Sequence, residues 1–179
     1  QNTETLSAVT DKLRRIELEQ NYLKTSTPLA KNIELPNMLA DILRKRVDQY
    51  RSKLTSFSYK IAKLENETKS ASETVRITKR QTDLKRQIEK ARKALYSRQN
   101  GSLLSYLQAQ DATLQSERSY YDAKNMLALK KTDLSVLQAD KEEFTASWSS
   151  SLGEARSKEE EKRIQLTQAS VKLRRDMRN

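Results

Sequence analysis

The side chains in this sequence that could do chemistry are carboxylates and basic groups, because it contains no histidine and no cysteine. General acid–base catalysis draws on histidine or on carboxylates held in a cleft, and thiolates supply nucleophiles and metal ligands. Here the carboxylates alternate with lysines and arginines at helical spacing, as in the run from Lys158 to Arg163. This pattern is typical of a charged helix surface. With two glycines and no glycine-rich phosphate loop, we predict no catalytic residue, no metal site, no cofactor and no enzyme activity.

The positive charge is concentrated in one segment. The chain carries a net charge of +11, and residues 76–98 supply +7 of it through nine basic and two acidic residues. The basic residues are Arg76, Lys79, Arg80, Lys85, Arg86, Lys90, Arg92, Lys93 and Arg98. Such a stretch forms either a solvated helix face or a surface for an acidic partner. No recognition motif or row of stacking aromatics accompanies it, so no nucleic acid is expected as a partner.

The composition favours long helices as the elements that position these groups. Only 35% of the residues are apolar and 33% are charged, against 45–50% apolar residues in an ordinary globular domain. Two glycines and two prolines leave little to separate strands or short loops. A chain of this kind fills a narrow apolar line between helices rather than a spherical core. No run approaches the 18 or more apolar residues that a membrane-spanning helix needs.

The apolar residues repeat with the spacing of a coiled coil and are mirrored about Asn100-Gly101. Their spacing alternates between four and three in Leu43, Val47, Tyr50, Leu54, Phe57, Ile61 and Leu64, which is the a/d pattern. Apolar pairs equidistant from the turn, to within a residue, are Val47 with Ala155, Leu54 with Trp148, Phe57 with Phe144, Leu64 with Leu137, Ile88 with Leu114 and Leu95 with Leu107. The pattern loses one residue between Val75 and Ile88, and again between Leu114 and Leu127. The sequence therefore predicts an all-α fold dominated by a long antiparallel two-helix coiled-coil hairpin.

Breaks in the pattern predict the domain organisation. We assign residues 1–27 to an additional shorter N-terminal helix, 28–36 to a linker or hinge, and 37–179 to the hairpin, with its tip at 98–104. The helices are expected at about Thr5–Lys24, Asn37–Ser97 and Leu103–Met177, so that each arm of the hairpin extends roughly 90 Å. The apolar positions of the hairpin are already matched with each other. The N-terminal helix must then pack alongside as a third helix or extend beyond the base, and the sequence leaves both open.

The turn between the two long helices is a candidate site. Asn100 and Gly101 tolerate the left-handed conformation that ends a helix, and Ser102 is a suitable N-cap for the next one. Leu103 and Leu104 follow at once. At the end of the hairpin one of them is expected to cover the apolar line between the helices and the other to face outward. An exposed apolar residue near Arg98 and Arg92 is typical of a docking site. Simple capping of the end of the hairpin is the alternative.

The turn and the hairpin resemble the α-helical hairpin of HlyD-type membrane fusion proteins, the periplasmic adaptors of type I secretion systems. The stretch from Leu95 to Ser105 is similar to the tip pattern of that family, in which an Arg–Leu–Ser/Thr motif engages a TolC-like outer-membrane channel. Leu95 and Ser102 have the seven-residue separation of the motif, with Ser105 as the alternative to Ser102. Arg92 lies three residues before Leu95, where the motif has four and this sequence has Ala91. The resemblance implies that the partner-binding residues at the tip are Arg92, Leu95, Arg98, Ser102, Leu103 and Leu104.

The resemblance also implies a function and a location. A periplasmic adaptor bridges an inner-membrane ABC transporter to the outer-membrane channel, forms a ring through self-association of the full-length protein, and performs no chemistry. We would expect a lipoyl-like β domain on either side of these residues and an anchor to the inner membrane in a preceding segment. The alternative function is a basic coiled-coil scaffold or membrane-binding module of BAR-like or spectrin-like type.

Overall fold

A computed structural model describes residues 5–177 and consists of three α-helices. Helix α1 spans Leu6–Thr25, α2 spans Asn37–Ser97 and α3 spans Leu103–Asp176. No strand occurs among the residues that the structure describes. The predicted all-α class is therefore confirmed, and the helix ends lie within one residue of their expected positions.

Local hydrogen bonds explain where the first two helices end and begin. Thr5 is the N-cap of α1, and its hydroxyl oxygen accepts a hydrogen bond from the N–H of Ala8 at 3.2 Å. Ser26 adopts the left-handed conformation (φ 54°) that commonly ends a helix. Pro36 directly precedes α2, and its carbonyl accepts from the N–H of Ala40 at 3.0 Å. Proline is well suited to this position because a helix start needs no N–H donor there.

The contacts divide the chain into two compact units. Unit 1 comprises Gln1–Ser56 and Asp140–Asn179, and so contains α1, the beginning of α2 and the end of α3. Unit 2 comprises Phe57–Ala139, and so contains the rest of both long helices with the turn that joins them.

In unit 1, α1 packs alongside α2 and α3 as a third helix, which decides between the two positions that the sequence left open. Ile16 of α1, Leu43 of α2 and Leu152 of α3 are each at most 1% exposed. An aromatic cluster adds to this core, in which the ring of Tyr50 lies 5.7 Å from that of Phe144 and 5.4 Å from that of Trp148. Burying three helix faces against one another removes far more apolar surface from water than a two-helix contact does.

A buried carboxylate joins the three helices of unit 1. Glu19 of α1 is 0% exposed. Its carboxylate accepts hydrogen bonds from Arg15 Nη1 at 2.9 Å, from Arg46 Nε at 2.9 Å to each oxygen, and from Trp148 Nε1 at 3.0 Å. The guanidinium of Arg46 also lies 4.8 Å from the centre of the Trp148 ring, within cation–π range. A charge can remain buried only with such partners, so Glu19 fixes how α1 meets α2 and α3.

In unit 2, α2 and α3 touch along residues spaced alternately by three and four. Lys130 Nζ donates to Glu67 Oε2 at 2.6 Å, and the hydroxyls of Thr82 and Ser116 lie 3.0 Å apart. Nearest the turn, the ring of Tyr96 stacks on that of Tyr106 at 6.2 Å. Thus, as the residue number rises along α2, that of its partner on α3 falls. We call the buried and half-buried residues at this spacing, together with the stacked pair Tyr96–Tyr106, the contact line: on α2 they are Phe57, Ile61, Leu64, Thr68, Ala71, Val75, Thr78, Thr82 and Tyr96, and on α3 they are Tyr106, Ala109, Thr113, Ser116, Tyr120, Ala123, Leu127 and Lys130.

The expected apolar pairs nearest the turn do not lie on the contact line. Ile88 and Leu114 are 41% and 59% exposed, and Leu95 and Leu107 are 41% and 47% exposed. The contact line instead continues beyond Val75 at regular helical spacing. The periodicity of the backbone sets which positions meet, whatever side chains occupy them. The mirrored shift in the sequence marks the point where apolar residues leave the contact between the helices.

Replacing Glu19 should destabilise unit 1 strongly. In Glu19→Ala, the partly buried guanidiniums of Arg15 and Arg46 lose their anion, and Trp148 Nε1 loses its acceptor. We expect the free energy of unfolding to fall by about 3 kcal/mol, the lower end of the range for a broken buried ion pair. The measurement is urea unfolding followed by circular dichroism.

The matched control is Glu17→Ala on the same helix. Glu17 pairs with Arg14 at 3.0 Å, and both side chains are half exposed (50% and 54%). An exposed pair of this kind contributes at most about 1 kcal/mol. Equal losses of stability in the two variants would contradict the role assigned to Glu19.

Candidate docking site at the turn between α2 and α3

The end of α2 is closed by a Schellman motif. The N–H of Gln99 donates to the carbonyl of Tyr96 at 3.0 Å, and the N–H of Asn100 donates to the carbonyl of Leu95 at 2.9 Å. Gln99 is the residue with the left-handed conformation (φ 59°), and neither described glycine has a positive φ. The expectation that Asn100 or Gly101 adopts this conformation is therefore wrong. The hydrogen bonds that end α2 place the left-handed residue two positions before Gly101.

Gly101 is required for close approach rather than for its backbone angle. A Cβ built on Gly101 would lie 3.1 Å from Leu95 Cβ and 3.3 Å from the backbone nitrogen of Tyr96. Both distances are tighter than ordinary van der Waals contact, and the second is to backbone that cannot rotate away. The turn thus folds back onto the last residues of α2, and glycine is the residue that fits.

Ser102 begins α3, as the sequence predicts. Its Oγ accepts a hydrogen bond from the N–H of Ser105 at 3.1 Å and donates to Ser105 Oγ at 2.9 Å. This N-cap bond satisfies one of the donors that the first turn of a helix leaves unpaired. Ser102 therefore has a structural role in the turn.

A pair of stacked tyrosines holds the two helices together just below the turn. Tyr96 and Tyr106 lie with their ring planes within 7° of parallel. The sequence analysis missed this pair. The two residues are equidistant from Gly101, so the mirror test that found the apolar pairs could have found them. The aromatic contact takes the place of the aliphatic contact between Leu95 and Leu107 that the sequence predicted here.

The six residues predicted to bind a partner are all exposed. They are Arg92, Leu95, Arg98, Ser102, Leu103 and Leu104. Leu103 and Leu104 are 48% and 64% exposed, and they form the first turn of α3. Leu95 is 41% exposed and lies under Gly101, so it belongs to the surface of the turn and not to the interior that the sequence predicted for it. Arg92 lies more than one helical turn before Arg98 and stands apart from the apolar group.

The surroundings of the turn are positive and only partly neutralised. Arg86 bridges to Asp83 at 3.5 Å and to Glu117 at 3.0 Å. Farther from the turn, the hydrogen bond from Lys130 lowers the pKa of the Glu67 carboxyl and raises that of its own ammonium group. Among residues 5–177 no group of three or more acidic side chains is placed to hold a metal ion. The arrangement is suited to binding through an apolar patch with flanking guanidiniums.

Replacing Gln99 with glycine should stabilise the turn. A non-glycine residue in the left-handed region costs about 1–2 kcal/mol of stability. Glycine avoids this cost, but it loses about 0.5–1 kcal/mol more backbone entropy on folding than other residues do. Gln99→Gly should therefore raise the free energy of unfolding by about 0.5–1 kcal/mol, measured by thermal unfolding. Gly101→Ala is the matched comparison, and its overpacking should lower stability by about 1 kcal/mol. A higher free energy of unfolding for Gly101→Ala than for Gln99→Gly would contradict the turn geometry.

Comparison with known proteins gives no family for this chain. No protein-family model matches it, and no curated protein matches its sequence. Within the described part of the chain, no helix is long and apolar enough to cross a membrane.

Proposed function

We propose that this chain is a helical docking module of a periplasmic adaptor of the HlyD type. It connects an inner-membrane ABC transporter to a TolC-like outer-membrane channel in type I protein secretion, and it binds the channel through the turn between α2 and α3. The observation that carries the proposal is the exposure of Leu103 and Leu104 (48% and 64%) on a turn fixed at both of its ends.

The proposal requires that α2 and α3 form an antiparallel hairpin. The contacts in unit 2 support this arrangement, because residues 67, 82 and 96 of α2 meet residues 130, 116 and 106 of α3 in reverse order. The turn of five residues between the helices has a length typical of connections between neighbouring helices in a bundle, which also supports a hairpin. A hairpin presents its turn at one end, where a partner can reach it from outside.

A disulfide can test the hairpin directly, because the chain has no cysteine of its own. The hydroxyl oxygens of Thr82 and Ser116 are 3.0 Å apart. The double variant Thr82→Cys/Ser116→Cys should therefore form an intramolecular disulfide on mild oxidation. Mass spectrometry of a proteolytic digest would identify the linked peptides. A matched control, Thr82→Cys/Leu104→Cys, should form none, and failure of the first pair to oxidise would contradict the hairpin.

The turn has the physical properties of an efficient binding site. Its backbone is held by the Schellman bonds, the N-cap of Ser102 and the stacked pair Tyr96–Tyr106, so little conformational entropy remains to be lost on binding. Leu103 and Leu104 offer apolar area that is removed from water when a partner covers it. Arg98 can donate two parallel hydrogen bonds to carboxylates or carbonyls of the partner, which fixes orientation.

Changing the turn should abolish binding without unfolding the chain. In Leu104→Asp/Arg98→Glu, an exposed apolar residue becomes charged and a cation becomes an anion, so we expect the affinity for a purified TolC-like channel to fall at least about 10-fold. Biolayer interferometry with the channel in detergent measures this. The channel should come from the organism that encodes the chain.

The matched control changes the same kinds of residues away from the turn. Tyr59 is 74% exposed, so Tyr59→Asp/Lys60→Glu has the same change in charge on α2 without touching the candidate site. We expect this control to bind as the wild-type chain does, and both variants to keep its melting temperature. Absence of binding by the wild-type chain, or equal effects of the two variants, would contradict the proposed docking function.

The alternative function, a basic scaffold on an anionic membrane, is favoured by one observation. Residues 76–98 carry a net charge of +7. A membrane-binding module should sediment with vesicles that contain anionic lipid, strongly at low salt and weakly at high salt. The docking function predicts that the turn variant and the wild-type chain behave alike in this assay.

A further inference from the structure

Unit 1 contains a groove that is lined by residues of all three helices and has a volume of about 470 Å³. We call it the Gly153 groove. Its volume lies in the range of pockets that bind small organic molecules, about 300–1,000 Å³. The lining residues on which the argument depends are Gln20, Leu23 and Lys24 of α1, Tyr50 of α2, and Gly153 and Arg156 of α3.

The hydroxyl of Tyr50 is a buried polar group without a partner. Tyr50 is 7% exposed and lines the groove, yet its hydroxyl forms no hydrogen bond with any residue that the structure describes. The ring is held in place by Phe144 and Trp148, whose ring centres lie 5.7 Å and 5.4 Å from its own. A buried tyrosine hydroxyl is normally hydrogen-bonded. The hydroxyl of Tyr50 is therefore available to a molecule in the groove.

Gly153 marks the same place independently. It lies inside α3, where glycine is less stable than alanine. A Cβ built on Gly153 would meet no atom within 4 Å, and the φ of this residue is not positive. Neither close packing nor the backbone angle requires glycine here, in contrast to Gly101. The missing side chain leaves open space in the groove, and glycine is the residue that allows a ligand to approach the backbone closely.

The charged side chains that line the groove are basic. Lys24 has no hydrogen bond or ion pair with the residues that the structure describes. Arg156 Nη1 donates to Gln20 Oε1 at 3.0 Å, which connects α3 to α1 and leaves the other N–H groups of Arg156 and the amide N–H groups of Gln20 as donors. No carboxylate is among the described residues that line the groove. A ligand with negative charge and hydrogen-bond acceptors matches this lining.

Tyr50 and Leu23 define the rest of the ligand. Burial, and after it the neighbouring Tyr22, raise the pKa of Tyr50, so its hydroxyl keeps the proton that it can donate. Leu23 and the ring of Tyr50 offer apolar surface beside these donors. A bare inorganic anion would leave that surface uncovered, whereas an organic anion would cover it.

We infer that the Gly153 groove binds a small organic anion, whose acidic group accepts hydrogen bonds from Tyr50, Lys24 and Arg156 and whose apolar body lies against Leu23 and over Gly153. The acidic group is a carboxylate or a phosphate. Such a ligand joins α1 to α3, so binding stabilises unit 1. The site lies apart from the turn and goes beyond the proposed function.

Hexanoate is a suitable probe, because it joins a carboxylate to a short apolar chain, and hexanamide is its neutral counterpart. Trp148 is the one tryptophan of the chain and contacts Tyr50, so its fluorescence reports on the groove. We expect a saturable change in fluorescence with hexanoate and an affinity at least about 10-fold lower for hexanamide. Hexanoate should also raise the melting temperature more than hexanamide does. Hexyl phosphate, titrated in the same way, tests the phosphate group.

The variant Tyr50→Phe removes the unpartnered hydroxyl and keeps the ring. We expect it to bind the more tightly bound acidic probe about 10-fold more weakly than the wild-type chain, without a loss of melting temperature in the free chain. The matched control is Tyr59→Phe, at a tyrosine that is 74% exposed on the same helix. This control should bind the probe as the wild-type chain does.

The variant Gly153→Leu fills the groove from its open side. We expect it to bind no probe and to melt at the wild-type temperature or above, because leucine favours the helix and meets no atom at its Cβ. Ser150→Leu, at an exposed position of α3 outside the lining, is the matched control and should bind normally.

Three outcomes would overturn the inference. They are failure of both hexanoate and hexyl phosphate to bind the wild-type chain, equal affinity for hexanoate and hexanamide, and binding by Tyr50→Phe and Gly153→Leu that equals the wild type. The turn variant Leu104→Asp/Arg98→Glu should bind the probe normally. Loss of channel binding and loss of probe binding are therefore measured separately, and failure of one proposal leaves the other standing.

Discussion

In unit 2, the period of the α-helix decides which residues of α2 and α3 meet, and the positions of the apolar residues do not. Two helices that touch over many turns must meet at residues spaced by three and four, and a change of side chains does not move that line. Thr82 and Ser116 occupy it, with their hydroxyls hydrogen-bonded to each other. Between Val75 and the stacked pair Tyr96–Tyr106, the contact positions of α2 that the structure buries are therefore threonines. Leucine and isoleucine side chains that would fill an ordinary coiled coil lie on the outside.

The turn compensates for this weak interior by local means. The Schellman bonds to the carbonyls of Leu95 and Tyr96, the close approach of Gly101 and the N-cap of Ser102 each fix a different part of the backbone. None of them needs buried apolar area. The conformation of the turn is therefore set by bonds within the turn and does not depend on which side chains pack between the helices.

The sequence predicted the helices almost to the residue, because prolines, caps and the turn residues act locally. It also predicted burial at Leu43 and Val47, where apolar residues coincide with the contact between helices. It failed nearer the turn, because apolar periodicity was used to locate the contact and the two diverge after Val75. At the candidate site it predicted the N-cap of Ser102. It placed the left-handed residue wrongly, because the bonds that select Gln99 depend on how α2 ends in three dimensions.

The Glu19 cluster has a consequence for how α1 can sit on unit 1. A helix that packs through apolar contacts alone has a competing register one turn away, about 5.4 Å along its axis, because residues three or four apart lie on the same face. A buried carboxylate does not, because after such a slide it would leave Arg46 and Trp148 behind and be desolvated without donors. Glu19 therefore finds its hydrogen-bond donors in only one register of α1 against α2 and α3. The N-terminal helix of this chain is held in a single register by its one fully buried charge among the described residues.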